Sequence, residues 1–135
     1  MKPCTTMRTT ITLLFLCLLL AHARAQNTCA TAVAITTGTY TVDTIDGFEI
    51  PAPVCIPLAP SAAHGEWYSY TPPQDTAVTI STDLAANAGG DTRFHVYSGT
   101  CGALVCEGGD DDSGSGYLSL ATLNLTGGVT YYIAF

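Results

Sequence analysis

Basic residues are nearly absent from most of this chain. Its four Lys and Arg residues are Lys2, Arg8, Arg24 and Arg93, so three lie in the first 24 positions, while all eleven acids lie beyond residue 25. From Gln26 onward, one arginine stands against eleven carboxylates, a net charge of −10. A surface of that sign repels phosphate backbones and anionic lipids, which excludes nucleic-acid binding. Simple solubility accounts for most of these acids. The segment from residue 26 also lacks an apolar run of the roughly 20 residues needed to span a bilayer. It has no internal repeat and no flexible low-complexity linker. Helix formers are scarce, and a helix surface with one Arg and no Lys would be unusual.

What is present first is an export signal. Met1, Lys2 and Arg8 form a basic start, residues 11–21 are an apolar run too short for a span, and Ala23-Arg24-Ala25 is a small-x-small cleavage site. Residues 1–25 are therefore read as a signal peptide, with Gln26 the mature N-terminus. Cys17 follows Leu16 where a lipoprotein site needs a small residue, so it belongs to the apolar run. The protein is expected to be secreted, extracellular or at the cell surface. The remaining 110 residues suffice for one domain.

That domain reads as strands. Runs rich in Thr, Val and Tyr at 39–43, 66–71, 77–84, 92–98, 117–125 and 129–135 are separated by Gly, Pro or Asn signals. Val78, Ile80 and Leu84 alternate against Thr79, Ser81 and Asp83, and Phe94 and Val96 against His95 and Tyr97. Leu118 and Leu120 are out of step with Leu123 and Leu125, which predicts a bulge or a change of sheet. Trp67 points opposite to Tyr68 and Tyr70, so one of these faces is core and the other could stack on sugar rings. The expected fold is all-β, an antiparallel β-sandwich. Residues 50–60 carry four prolines, which block a central strand and predict an ordered loop across the sandwich edge, tied down by Cys55. The final run ends as a strand, which fits the N-terminal part of a longer protein.

Cys29, Cys55, Cys101 and Cys106 should be oxidised outside the cell. Four cysteines allow three pairings. Cys29–Cys55 and Cys101–Cys106 are the favoured ones, the first anchoring the terminus and the second closing a small loop at 102–105. A thiolate metal site is disfavoured without paired Cys-x-x-Cys spacing.

The sharpest local feature is Glu107-Gly108-Gly109-Asp110-Asp111-Asp112-Ser113-Gly114. Three successive carboxylates repel one another and invite a hard cation, and calcium takes 6–8 oxygen ligands. The spacing is not that of an EF-hand. Asp91 joins Asp110, Asp111 and Asp112 as a candidate ligand if its strand end lies beside this turn. The competing reading is a solvated acidic turn. Catalytic signals are weak. His64 sits in a turn and His95 in a strand where it should be exposed or half-buried. There is no Gly-x-Ser-x-Gly elbow and no zinc spacing. A pair of carboxylates meeting across the sandwich is the one enzymatic reading left open. Asn124-Leu125-Thr126 is a formal glycosylation sequon.

Five segments in order then carry a resemblance: Asn27-Thr28-Cys29-Ala30, Glu66-Trp67-Tyr68-Ser69-Tyr70-Thr71-Pro72-Pro73, Asp91-Thr92-Arg93-Phe94-His95-Val96-Tyr97-Ser98-Gly99-Thr100-Cys101-Gly102, Asp110-Asp111-Asp112-Ser113-Gly114, and Gly127-Gly128-Val129-Thr130-Tyr131-Tyr132-Ile133. Together they resemble the bacterial pre-peptidase C-terminal-like domains of secreted multidomain proteins, over nearly all of the chain beyond residue 25. Arg93 departs from that pattern, standing where an apolar or small residue is usual. The resemblance implies a jelly-roll-like sandwich and a non-catalytic module that aids secretion, surface attachment or substrate binding. A polysaccharide or an extracellular protein would be its partner. A calcium-dependent binding module is the alternative, and a hydrolase a third.

Overall fold

In a computed structural model, residues 26–42, 44–56 and 64–135 are described. The expected signal peptide at 1–25 and residues 57–63, which include the second half of the proline-rich loop, lie outside the described residues. The elements are β1 Val33–Ile35, β2 Trp67–Tyr70, β3 Thr76–Ser81, β4 Phe94–Thr100, β5 Ala103–Asp110, β6 Leu120–Leu125 and β7 Tyr131–Ala134, with 3-10 turns at Cys29–Thr31 and Ala85–Asn87. They form a five-stranded sheet in the order β1-β2-β7-β4-β5 and a two-stranded sheet β3-β6. The sandwich expected from the sequence is therefore present, with one exception to antiparallel pairing: β1 runs parallel to β2.

Alternation along each strand sets the faces. Tyr68, Phe94, Val96, Tyr131 and Ile133 point from the large sheet toward Ile80 and Leu125 of the small one, forming the inter-sheet core. The other face of the large sheet is not solvent. Trp67, Tyr97, Ala134 and Cys29 are buried there in a second cluster. A layer of coil covers it: Trp67 Nε1 donates to Glu49 O at 3.4 Å, Tyr97 OH to Pro53 O at 2.9 Å, and the Cys29 amide to the Glu49 carboxylate at 2.8 Å. Buried Glu66 accepts from the amides of Asp46 and Gly47, both at 3.1 Å. Gly47 allows this close approach, because a Cβ there would stand 1.8 Å from Gly65 O. Both sides of Trp67-Tyr68 are thus core.

The disulfides bolt this layer down with a pairing other than the one favoured from the sequence. Cys29 bonds Cys101 and Cys55 bonds Cys106. The expected small loop at 102–105 is instead the start of β5, which continues through the glycines to Asp110. Cys106 sits in that strand opposite Tyr97, facing the coil layer and Cys55. Cys55 does tie the proline-rich segment down, as expected, but to β5.

Further differences have local causes. The described part of 39–43 is coil, and Tyr40 OH closes onto the backbone of Thr36 at 3.0 Å. The run at 117–125 starts as a strand only at Leu120. Leu118 is buried ahead of the strand and Leu120 points outward, which resolves their phase mismatch with Leu123 and Leu125 without a bulge in β6. The bulge lies in β5, where Glu107 has no counterpart between the pairs Val96–Gly108 and Tyr97–Cys106. Leu84 falls beyond β3 and is exposed.

Candidate functional site

The site lies at the end of the sandwich where β4 begins and β5 ends. Asp91 precedes β4 and bridges Tyr117, while Asp111 and Asp112 leave β5 beside it. One carboxylate oxygen from each of Asp91, Asp111 and Asp112 lies within 4.8 Å of the others. Asp91 and Asp112 are exposed and Asp111 is half-buried. The sequence expectation that Asp91 meets the acidic turn therefore holds in the geometry. Three carboxylates offer up to six oxygens, which suits a hard cation such as calcium. The protonation of Asp112 reflects this crowding: desolvation first, then the charges of Asp111, Asp91 and Asp110, raise its pKa above the ordinary carboxylate value.

Asp110 does not join the cluster. It is the last residue of β5, and its carboxylate turns back to accept from the Ser113 amide at 3.0 Å, the Ser113 hydroxyl at 2.6 Å and the Leu120 amide at 2.8 Å. Desolvation works against the charge, but the hydrogen bonds from Ser113, Leu120 and the Asp111 amide outweigh it and hold the Asp110 pKa below the ordinary value. Its role is to fasten the turn to the start of β6. A depressed folded pKa contributes stability at pH above the ordinary carboxylate range of about 4, and that contribution is lost as pH falls through the folded value. Asp110→Asn should therefore be less stable than the parent at pH 7 in urea melts, with the gap narrowing as pH approaches 2. A gap independent of pH would remove this role.

A hydroxyl cluster beneath the turn sets its position. Ser119 is fully buried, its amide bonded to Thr82 Oγ1 at 2.9 Å and to Thr92 Oγ1 at 3.2 Å. Its own hydroxyl lies within reach of the carbonyls of Thr92 and Asp111. This links β3, the approach to β4 and the acidic turn through one side chain.

His95 differs from its sequence expectation. It is 3% exposed, on the coil-covered face of β4 beside Tyr97, and its Nδ1 has no hydrogen-bond partner among the described residues. Desolvation, aided by nearby Arg93 and opposed by Asp111, lowers its pKa. The phase of the strand was legible, but the coil layer over this face was not. His64 is tied to the Gly47 carbonyl at 3.2 Å.

A groove also opens at this end, and the sequence pattern indicated only that some of its residues share a face, such as Tyr68 and Tyr70. It has a volume of about 930 Å3 and runs from the acidic cluster along the inner side of the sandwich, and His95 and Ala134 of the coil-covered face also line it. Ile35, Tyr68 and Tyr70 line it from the large sheet, Val78 and Ile80 from β3, and Tyr40 from the coil. Arg93 also lines it, the only Lys or Arg among the described residues. Tyr40 packs on Tyr68 with ring centroids 6.1 Å apart. The exposed apolar residues Tyr40, Val42, Ile45 and Tyr117 also belong to its lining.

No family model, curated protein or solved structure matches this chain. No helix among the described residues is long and apolar enough to cross a membrane.

Proposed function

We propose that this protein is a non-catalytic, secreted accessory or adhesion module of an extracellular bacterial protein, which aids attachment or substrate binding. The observation that carries the reading is the groove: an aromatic and aliphatic trough of about 930 Å3 left open on a rigid, doubly disulfide-bonded sandwich. Concave, mostly apolar surfaces with a few polar groups at one end are the usual form of binding sites. The export signal and the resemblance to bacterial pre-peptidase C-terminal-like domains support the same assignment, with a polysaccharide or an extracellular protein as the partner.

The test is co-sedimentation of the secreted protein with insoluble chitin, cellulose, peptidoglycan and collagen, assayed in parallel for released sugars or peptides. Retention on one polymer without release is the expected result, and Tyr70→Ala in the groove should weaken it. Release of product that disappears when a mature carboxylate is replaced would make the protein a hydrolase instead.

A calcium-dependent form of this reading is favoured by the meeting of Asp91, Asp111 and Asp112. It expects Asp112→Ala to lower the melting temperature in millimolar calcium and leave it unchanged in a chelator. Asp110→Ala should lower it in both, because Asp110 is engaged with Ser113 and Leu120. Equal effects of Asp112→Ala in both conditions would dismiss calcium.

A further inference from the structure

The two sheets do not match in width. The large sheet has five strands and the small one two, so among the described residues part of the large sheet's inner face has no strand above it. The uncovered part is identifiable. β6 packs toward β5: Leu123 Cδ2 would stand 2.6 Å from a Cβ on Gly108, so the glycine lets β6 sit against β5. β3 pairs with the other side of β6, and its Val78 and Ile80 share the inter-sheet core with Tyr68 and Tyr70 of β2 and Val33 and Ile35 of β1. The groove follows β3. Val78, Thr79, Ile80, Ser81 and Thr82 line it in succession, inward- and outward-facing residues alike, whereas no β6 residue does. β3 has no strand partner except β6 among the described residues, so the N–H and C=O groups of its second edge have no ladder, and Val78 to Ser81 of this strand line the groove.

We infer that this groove is a vacant strand position, and that an extended, basic segment of a partner protein fills it by pairing with β3. Alternate apolar side chains of such a segment would cover the half-buried Ile35 and Tyr70, as strand addition does elsewhere by combining main-chain hydrogen bonds with side-chain pockets. The charge selects the partner. The groove ends at Asp91, Asp111 and Asp112, with Arg93 the single cation along it. A second copy of this chain carries the same excess of acids and is repelled. A segment placing Lys or Arg beside the cluster is attracted. The inference rests on the binding-module reading and names its partner chemistry.

The probe is a blocked nonapeptide in which Val and Ile alternate with Thr and Lys, added to the secreted, oxidised protein in a chelator and followed by hydrogen exchange. Protection of the β3 amides, with the β5 edge unchanged, is the expected result. A peptide with proline at alternate positions should give none. Asp111→Asn/Asp112→Asn should weaken the lysine peptide by about five- to tenfold, the sum of one half-buried and one exposed charge contact. Unprotected β3, equal protection by the proline peptide, or protection without peptide in a sedimenting dimer would each overturn the inference. Polymer retention with unprotected β3 would reject strand addition alone. Protection of β3 without retention on any polymer would reject polymer attachment alone.

Discussion

Replacing Cys29 and Cys101 with serine is expected to lower the unfolding free energy by about 4 kcal/mol. The bond spans 72 residues of sequence, and chain-entropy arguments give a cross-link of that reach about this much. In a domain of this size the melting temperature should fall by on the order of 15–25 °C. The Cys55–Cys106 bond, spanning 51 residues, should contribute about the same singly. The two spans interlock along the chain, so removing both will cost less than the sum. They also hold different objects. Cys29–Cys101 fixes the N-terminal segment to the β4–β5 turn, while Cys55–Cys106 fixes the proline-rich coil to β5. Proteolysis of the second variant should therefore begin near residues 50–56. Calorimetry of each double-serine variant checks the magnitude, and a loss below about 1 kcal/mol in either would show that the coil layer holds without its bond.

Trp67→Ala should be the most damaging single side-chain truncation, with an expected loss of about 3–5 kcal/mol. Trp67 is fully buried and stacks on Tyr97 with ring centroids 5.8 Å apart. It sits between the large sheet and the coil layer, so its removal opens a cavity and frees the Glu49 carbonyl that its Nε1–H reaches. The surroundings can collapse little, because Cys29 on one side and Tyr97 on the other are held by a disulfide and by the Pro53 carbonyl. Circular dichroism in a urea series reads the loss without needing tryptophan fluorescence. Tyr70→Ala, on the half-buried rim of the groove, should cost much less. Equal losses from the two would mean that the coil-covered cluster is not a core.

Much of the strand pattern was legible. Phe94 and Val96 against His95 and Tyr97 gave the faces of β4, and Val78 with Ile80 gave the inner face of β3. These are local facts, since successive side chains in a strand alternate sides whatever surrounds them. Pattern could not say that both faces of the large sheet are buried, because the cover on one side is irregular coil with no period of its own. That is why His95, expected to be exposed or half-buried, lies in the interior. β5 was missed because Gly108 and Gly109 read as turn residues; they are strand residues that admit Phe94 O and Leu123 at distances a Cβ forbids. The acidic turn was visible and Asp91 was a conditional candidate beside it, but that the two meet depended on the pairing of β4 with β5. The division of labour within the turn was not legible, since Asp110 differs from Asp111 and Asp112 only in which backbone amides it meets.

By itself, the sequence determined an all-β sandwich, four cysteines destined for disulfides and an acid-rich mature chain expected to be exported. Those follow from side-chain period, residue count and charge, which need no partner in space. Tertiary structure alone decided which cysteines pair, which acids converge and where the sandwich stays open. Each of these depends on the order in which strands are laid side by side, and that order is fixed by contacts between residues far apart in the chain.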